Sequence, residues 1–402
     1  MNRLHFPLLI TLVLLAGGLD ESISFGLIPI LTAAGLSKSL LGVIAAAGGL
    51  GALAFILPAG FLSDRVRARY IAAAGVCTLG IAALFLRSGV QHALTFFLLF
   101  AAIGAGLQGA TLALDVSFYK HVTSTLRGKV LGYFGAGKRF VAGTVAFLCI
   151  VAAGSIAIEG AFGLIALLSF AMAFLALFLP ANDTFQVTFS DYRKELSNPV
   201  VWRFLLLFVM FWLHSGGDGV AAPWIWREEM GLSYFQFALL GGGGIAIFTA
   251  GMFAIGARLA DRTTASRAFA IIGLILSALG HIGIGFADTF WLTALARATH
   301  LIGDGLFMLF YTTEIAWLYS RKTLGGQLGV VAFTMYASIM VSKLLVGFLG
   351  DVFGFRMTLF GTGGIMLLAA LYVAVWGVQF TKREEPAQDA NCVVDCVKIG
   401  SK

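Results

Sequence analysis

The sequence predicts an all-α membrane protein with twelve membrane-spanning helices, arranged as two related six-helix bundles. Three observations lead to this prediction: the apolar composition, the recurrence of apolar runs of membrane-spanning length, and a repeat that relates the two halves. The 402 residues are 59% hydrophobic and only 12% charged, which is too apolar for two or three soluble domains. A chain of this composition requires a lipid environment.

Apolar runs recur from Phe6 to Phe380 with short polar interruptions, and about 20 apolar residues in a helix cross a hydrocarbon core of roughly 30 Å. The first run contains Asp20 and Glu21 and is followed by no small-residue cleavage site, so we expect an uncleaved helix and not a signal peptide. The runs predict helices 1 to 12 at residues 7–31, 39–62, 70–88, 93–116, 130–152, 157–180, 200–223, 233–257, 267–287, 290–318, 327–350 and 356–380.

The longest polar stretch divides these helices into six and six. We therefore predict an N-terminal bundle at 1–180, a cytoplasmic central loop at 181–199, a C-terminal bundle at 200–380 and a disordered cytoplasmic tail at 381–402. The tail contains Cys392 and Cys396, which without a nearby histidine make a weak candidate for a metal site.

The two halves also repeat in sequence. The Gly-Leu-Ser of residues 35–37 recurs at 231–233, Asp64-Arg65 recurs as Asp261-Arg262, and the Ile-Gly-x-Gly-Leu of 103–107 recurs at 302–306. Parallel repeats of this kind are typical of transporters in which one half moves against the other around a site near the bilayer midplane.

Basic residues predict the orientation of the chain, because Lys and Arg in loops resist translocation. With the N-terminus inside, the internal loops hold Arg65, Arg67, Arg69, Lys120, Arg127, Lys129, Arg193, Lys194, Arg258, Arg262, Arg267, Arg321, Lys322, Lys382 and Arg383, against Lys38, Arg87, Arg227 and Arg356 outside. We predict an inner or plasma membrane protein with both termini in the cytoplasm. The net charge of +7 follows mainly from this bias, and no basic stretch with interleaved aromatic residues indicates nucleic acid binding.

Residues 60–69, Gly-Phe-Leu-Ser-Asp-Arg-Val-Arg-Ala-Arg, resemble the loop signature Gly-x-x-x-Asp-Arg-x-Gly-Arg-Arg of the major facilitator superfamily. The equivalent segment between helices 8 and 9 has Ala257 at the glycine position but keeps Leu259, and with twelve spans and the repeat the resemblance covers essentially the whole chain. It implies the major facilitator fold, with helices 1, 4, 7 and 10 around a central cavity and Asp64 closing the cytoplasmic side. The gate residues that it implies are Gly60, Asp64, Arg65, Arg69, Asp261 and Arg262. Arg67 stands where the family usually has glycine, so the turn of this loop is expected to differ.

Two local patterns bear on the subfamily. Helix 5 lacks the Gly-Pro-x-x-Gly-Gly element of drug:proton antiporters, and helix 4 has Ala105 where many relatives have a buried arginine. The elements Thr111-x-Ala113-x-Asp115, Arg127-Gly128 and Gly137-Lys138-Arg139 are similar to those of permeases for muropeptides and siderophores.

Ionisable residues inside the predicted helices are candidates for a substrate or proton pathway, because an unpaired charge in a membrane costs several kcal/mol. They are Asp20 and Glu21 in helix 1, Asp115 in helix 4, Lys138 and Arg139 in helix 5, Asp218 in helix 7, Arg297 and Glu314 in helix 10, and Lys343 in helix 11. Structural roles compete with this interpretation: Asp115 and Glu314 could anchor loop arginines, and Lys138 and Arg139 could neutralise acids instead of binding an anionic substrate. Adjacent helical residues point about 100° apart, so we expect only Asp20 of the first pair to face the cavity centre.

The pattern His-x-x-Gly-Asp occurs twice, as His214 with Asp218 in helix 7 and as His300 with Asp304 in helix 10. The four-residue spacing places each His and Asp on one helical face. A lone histidine in an apolar helix is usually a packing residue, but two such pairs on two cavity helices favour function. The four side chains are candidates for proton uptake and release, or for the ligands of a divalent metal.

These features predict a secondary active transporter, driven by a proton gradient, that moves a small polar or charged organic solute by alternating access. The alternatives are transport of a divalent metal ion or its chelate, and drug or metabolite efflux by proton antiport. The glycine run 241–244 lacks the Lys-Ser/Thr of a phosphate loop, and no nucleophile–base set indicates an enzyme. We expect a monomer in the bilayer that needs no cofactor.

Overall fold

The computed structural model describes residues 5–33, 37–88, 92–121, 127–153, 158–179, 187–259, 263–320 and 322–376. Within these ranges the chain forms twelve long helices, numbered α1 to α12, and one short linker helix. Their bounds are α1 His5–Ala33, α2 Lys38–Arg65, α3 Ala68–Arg87, α4 Ala93–His121, α5 Arg127–Ala153, α6 Ile158–Ala176, the linker helix Phe189–Leu196, α7 Pro199–Glu229, α8 Tyr234–Gly256, α9 Thr263–Phe286, α10 Phe290–Leu318, α11 Leu324–Phe353 and α12 Phe355–Trp376. The predicted all-α architecture of twelve long helices is confirmed.

The outer surface of the molecule suits a lipid environment. Ten helices in the described ranges are long and apolar enough to cross a membrane, and large apolar side chains such as Leu167, Phe174 and Trp291 are exposed. α6 adds a shorter apolar stretch, Phe162–Ala176, and α10 has membrane-spanning length but carries several charged residues. Soluble proteins rarely expose apolar surface on this scale.

Helices α1 to α6 form one bundle and α7 to α12 form the other. Within the first bundle α3 contacts α4 and α6, and within the second α9 contacts α10 and α12. Between the bundles, α2 contacts α11 and α5 contacts α8. Because the repeat relates α2 to α8 and α5 to α11, these two interfaces are the same contact made twice.

Both interfaces bring backbones together at glycine. A Cβ atom on Gly42 of α2 would lie 2.9 Å from Cα of Gly347 in α11, and one on Gly143 of α5 would lie 2.4 Å from the backbone of Gly242 in α8. Small residues at such crossings allow the close approach on which helix association in membranes depends. The bundles are therefore held together mainly by close backbone packing.

The segment predicted as a central loop contains the linker helix. At its start, the Asp191 carboxylate accepts hydrogen bonds from the backbone N–H and the hydroxyl of Thr188, both at 2.9 Å. Tyr192 and Glu195 are buried on its inner side. Eight residues are too few to show a helical pattern in the sequence, and burial of one side against the bundles stabilises the helix.

Two helices, α7 and α8, are wound more widely than an α-helix over part of their length. In α7 the N–H of Ala222 donates to the carbonyl of Gly217, and the N–H of Met230 donates to that of Ile225. In α8 the N–H of Ala250 donates to the carbonyl of Ile245. Such five-residue hydrogen bonds are rare and often occur at functional sites, and the widened turn of α7 contains Asp218.

Candidate functional site

A cavity of about 330 Å³ lies between the two bundles. It is lined by α1, α2, α4 and α5 from one bundle and by α7, α8, α10 and α11 from the other. The four helices expected around the cavity are thus joined by four more, which are the helices of the two glycine interfaces. The ionisable lining residues among the predicted candidates are Asp20, Glu21, Asp115, Lys138, Arg139, His214, Asp218, Asp304 and Lys343.

Three predicted residues do not line the cavity. Arg297 and His300 are buried behind it and contact acids that do line it. Glu314 is buried further along α10. Its repeat counterpart Asp115 faces the cavity, so the structure separates two positions that the sequence treats as equivalent.

Two consecutive basic residues of α5 contact acids on different helices. Nζ of Lys138 lies 2.8 Å and 3.0 Å from the two carboxylate oxygens of Asp115 on α4. Nη1 of Arg139 lies 3.1 Å from the Glu21 carboxylate on α1. These contacts are the neutralising pairs that the sequence left as an alternative to binding an anionic substrate.

Asp20 has a different environment. Nε2 of Gln108 donates to its carboxylate at 2.9 Å, and within the described ranges no Lys, Arg or His nitrogen lies within 4.0 Å of it. Asp20 and Glu21 both line the cavity, and the expectation that only Asp20 faces its centre stays a prediction. The two side chains diverge toward α4 and α5 respectively, and the cavity is wide enough to include both.

Arg297 of α10 holds Asp218 of α7. Its Nη1 contacts the Asp218 carboxylate, its Nε donates to the carbonyl of Leu240 at 3.0 Å, and its guanidinium lies 5.4 Å from the ring centre of Trp226. Nε2 of His300 lies 3.7 Å from the same carboxylate. Asp218 is therefore fixed in an ion pair whose cation is itself anchored by α8 and by an aromatic ring.

The second acid of the repeated pattern, Asp304, contacts both histidines. Its Oδ2 lies 3.6 Å from Nε2 of His214 and 3.3 Å from Nε2 of His300. Its Oδ1 accepts a hydrogen bond of 2.5 Å from Oγ of Ser277. The structure thus brings the two His-x-x-Gly-Asp patterns together.

Sequence reasoning missed a third histidine in this cluster. His281 lies on α9, outside the helices expected around the cavity, and its ring centre is 4.3 Å from that of His300 and 5.3 Å from that of His214. Its Nδ1 lies 2.9 Å from Oγ1 of Thr362 on α12. His281 belongs to no repeated sequence pattern. A lone histidine in an apolar helix is usually a packing residue, so the sequence did not indicate a role for it.

At the end of the molecule that carries the α2–α3 connection and the linker helix, Asp64 lies at the amino end of α11. It is completely buried, and its carboxylate accepts hydrogen bonds from the N–H groups of Gly325 at 3.0 Å and Gly326 at 2.8 Å. Nζ of Lys120 lies 2.8 Å away, and the Tyr192 hydroxyl donates to it at 2.8 Å. A helix amino end is a favourable site for an anion. Burial, together with the neighbouring Asp64 carboxylate, raises the pKa of the Tyr192 phenol, which keeps it a hydrogen-bond donor.

The opposite end of the same helix pair has a reciprocal contact. Asp351 near the end of α11 accepts hydrogen bonds from the N–H of Ser39, at 3.0 Å, and from its hydroxyl, at the start of α2. This contact is exposed, whereas that of Asp64 is buried. Each helix of the pair is therefore capped by an acid of the other.

The remaining predicted gate residues that the structure describes have contacts of their own. Gly60 is in backbone contact with α11 near Gly329. Arg65 donates to the carbonyl of Val187 at 2.8 Å, and Arg69 donates to the hydroxyl of Tyr70 at 2.9 Å. Asp261 and Arg262 lie outside the described residues.

Comparison with known proteins places this architecture in a family. The family model of the Major Facilitator Superfamily matches residues 10–265 and, in a second match, residues 219–391. No curated protein sequence matches the chain.

Two solved structures have a similar fold. The human organic anion transporter MFSD10 (TETRAN) matches with a TM-score of 0.70 at 15% identity, over 91% of this chain and 99% of that one. The proton:xylose symporter XylE, bound to 6-bromo-6-deoxy-D-glucose, matches with a TM-score of 0.70 at 13% identity, over 94% of this chain and 97% of that one. At these identities the likeness establishes the fold alone. The chain belongs to the Major Facilitator Superfamily of membrane transporters.

Proposed function

We propose that this protein is a proton-coupled secondary active transporter, which moves a small polar or charged organic solute through the central cavity by alternating access. Members of its family are transporters, and two proteins of similar fold are an organic anion transporter and a proton:xylose symporter. The cavity, with its charged and polar lining, is large enough for such a solute. The observation that carries the proposal is the environment of Asp20.

Asp20 is the acid that we propose to carry the proton. Glu21, Asp115 and Asp218 each contact a Lys or Arg side chain, and an adjacent cation stabilises the ionised form of an acid. The contact made by Asp20 in the described ranges comes from an amide, which can also pair with a protonated carboxyl group. A partly buried carboxylate without a cation close to it is costly, so taking up a proton relieves this cost.

Lys343 supports the solute class. It lines the cavity from α11, across from Asp20 on α1, and no carboxylate oxygen of the described residues lies within 4.0 Å of its amine. A solute with polar or anionic groups would satisfy this amine and contact both bundles at once. Binding between the bundles is what alternating access requires.

The proposal is tested in two steps with the purified full-length protein. Thermal unfolding in the presence of sugars, organic acids, short peptides and metal ions identifies the solute, because a ligand of the folded cavity raises the melting temperature. That solute is then followed in proteoliposomes with an imposed proton gradient. We expect Asp20→Asn to abolish accumulation against a gradient and to retain solute exchange, because the amide mimics the protonated acid.

The matched control is Asp288→Asn, the same chemical change at an exposed position outside the cavity, which should leave accumulation unchanged. Accumulation at the wild-type rate and with the wild-type pH dependence in Asp20→Asn would contradict the role of Asp20. Transport of a metal ion into the proteoliposomes, with no organic solute transported, would contradict the solute class.

A further inference from the structure

Three histidines and one acid meet in the C-terminal bundle beside the cavity. His214 is on α7, His281 on α9, and His300 and Asp304 are on α10. All four are buried, with exposed fractions of 2%, 0%, 0% and 4%. One ring nitrogen of each histidine lies within 4.8 Å of the other two.

The hydrogen-bond partners of His214 and His281 fix which ring nitrogen carries the proton. Nδ1 of His214 lies 2.5 Å from the carbonyl oxygen of Phe211, which can only accept. Nδ1 of His281 lies 2.9 Å from Oγ1 of Thr362, and that hydroxyl donates its own proton to the carbonyl of Leu359 at 3.1 Å. His214 must therefore donate from Nδ1, and His281 does so when the Thr362 hydroxyl donates to Leu359, which leaves Nε2 with a lone pair in each neutral ring.

His300 is fixed in the same way through Ser277. Its Nδ1 lies 2.9 Å from the hydroxyl and 3.2 Å from the carbonyl of Ser277. That hydroxyl donates to Asp304 at 2.5 Å, so both Ser277 oxygens act as acceptors for His300. The lone pair of His300 is again on Nε2.

Acceptor atoms consequently face one another. Nε2 of His281 and Nε2 of His300 are buried and make no hydrogen bond to the described residues. Nε2 of His214 and of His300 lie 3.6 Å and 3.3 Å from the Asp304 carboxylate. Three lone pairs and a carboxylate close together in a buried space repel one another unless a cation or a shared proton lies among them.

We propose that His214, His281, His300 and Asp304 bind a divalent first-row transition metal ion of the zinc type. Neutral imidazole nitrogens and a carboxylate are the ligands that such ions prefer. With metal–ligand distances of about 2.0–2.2 Å, neighbouring ligands of a tetrahedral ion lie roughly 3.3–3.6 Å apart, which the two His–Asp304 distances already match. The histidine nitrogens lie within 4.8 Å of one another, so binding one ion requires these side chains to move closer together. Each ligand histidine also has an outer partner that orients its ring, as is usual in metal sites.

This inference goes beyond the proposed function and assigns the ion to the protein and not to the cargo. All four ligands come from the C-terminal bundle, so rocking of one bundle against the other leaves the site intact. His214 and Asp304 also line the cavity, which gives the ion a route of entry. The bound ion would join α7, α9 and α10 and would hold His214 and Asp304 in place on the cavity surface.

Cobalt(II) is the probe, because a tetrahedral cobalt site absorbs visible light while octahedral aqueous cobalt barely does. The full-length protein carries Cys392→Ser and Cys396→Ser to remove thiol ligands from the tail, and it is stripped with a chelator before titration. We expect one equivalent of cobalt to bind with a tetrahedral spectrum, to raise the melting temperature, and to be displaced by zinc.

Two variants and a control locate the site. His281→Gln should lower cobalt affinity by at least tenfold, and Thr362→Val, which removes only the partner of His281, should lower it by about 10–100-fold. His92→Gln changes an exposed histidine outside the cluster and should leave affinity unchanged.

Absence of a tetrahedral cobalt spectrum in the wild type would overturn the proposal, and the cluster would then be a protonated hydrogen-bond network. Equal cobalt affinity in the wild type and Thr362→Val would also overturn it. Because Thr362→Val keeps all four ligands, it provides the test even if His281→Gln does not fold. None of these readouts depends on transport, so the outcome is independent of the proposed function.

Discussion

The Asp64 carboxylate joins three separate parts of the chain while it is shielded from water. Two backbone N–H groups of α11, the Lys120 amine and the Tyr192 hydroxyl all direct hydrogens toward it. Hydrogen bonds to a charged group contribute about 1.5–3 kcal/mol each. A single side chain of α2 is therefore bonded to α4, α11 and the linker helix at this end of the molecule.

We expect Asp64→Asn to impair transport much more than folding. The amide keeps the shape of the side chain, but its NH2 group would face donors, and the ion pair between Asp64 and Lys120 is lost. Loss of about 1.5–3 kcal/mol from the closed form changes the ratio of closed to open forms by roughly tenfold or more, while the cores of both bundles stay packed. Transport rate and melting temperature of the purified variant measure the two effects separately.

Asp191→Asn is the matched control, because Asp191 is a linker-helix acid whose partners are Thr188 and Lys322, on the same end of the molecule. Its pKa is lowered chiefly by the backbone N–H of Thr188, so it stays ionised at neutral pH and the substitution removes a real charge. A wild-type transport rate in Asp64→Asn would contradict the gating role.

For single residues, the sequence predicts the site residues that belong to a recognisable pattern, but it does not predict the residues that contact them. Asp64 stands out because it belongs to a ten-residue signature, and the two His-x-x-Gly-Asp patterns stand out because they repeat. Tyr192 and His281 reach the same sites from distant segments and carry no pattern, since a contact made through the fold leaves no local trace in one sequence.

At the scale of helices, the crossing of α5 and α8 depends on the absence of side chains. A Cβ atom on Gly143 would lie 2.4 Å from the backbone nitrogen of Ala246 and 2.4 Å from the backbone oxygen of Gly242. Neither atom can move without moving its helix. Position 143 therefore has room for the hydrogen of glycine but not for the methyl group of alanine.

We expect Gly143→Ala to lower the melting temperature of the purified protein, because overpacking of a tight contact costs about 1–3 kcal/mol. Gly251→Ala provides the same chemical change on α8 at a place where the added Cβ would meet no atom within 4 Å, and it should be neutral or slightly stabilising. Equal melting temperatures for the two variants would show that the α5–α8 contact is looser than described.

The long helices are predictable because each is an apolar run of membrane-spanning length, and a lipid environment leaves such a run little alternative to a helix. The linker helix is different. Its stability comes from the contacts of Tyr192 and from the Thr188–Asp191 cap, neither of which appears as a periodic apolar pattern.

At the scale of the whole molecule, the two-bundle architecture follows from the repeat, but the placement of charges inside it does not. Periodicity identifies which helices are related, and it cannot show that Lys138 and Arg139 turn to different acids. The orientation in the membrane also remains a prediction from the distribution of basic residues.

We predict that both termini and the connections carrying Arg67 and Arg193 face the cytoplasm. Cys392 and Cys396 are natural probes for this orientation, since the other two cysteines, Cys77 and Cys149, lie within α3 and α5. An impermeant thiol reagent should label the tail cysteines only after the cells are permeabilised, and the Cys392→Ser, Cys396→Ser variant gives the background. Ready labelling of Cys392 in intact cells would reverse the predicted topology.

The mutual capping of α2 and α11 has a consequence for the resting protein. In the proposed alternating access, these helices separate at one end while they stay in contact at the other. The Asp64 and Asp351 caps hold opposite ends of the same helix pair, and their strengths differ. Water competes for the exposed hydrogen bonds of Asp351 but is excluded from the buried ones of Asp64, and screening by water weakens exposed polar contacts. For the proposed alternating access, we therefore expect the unloaded protein to open more readily at the Asp351 end than at the Asp64 end.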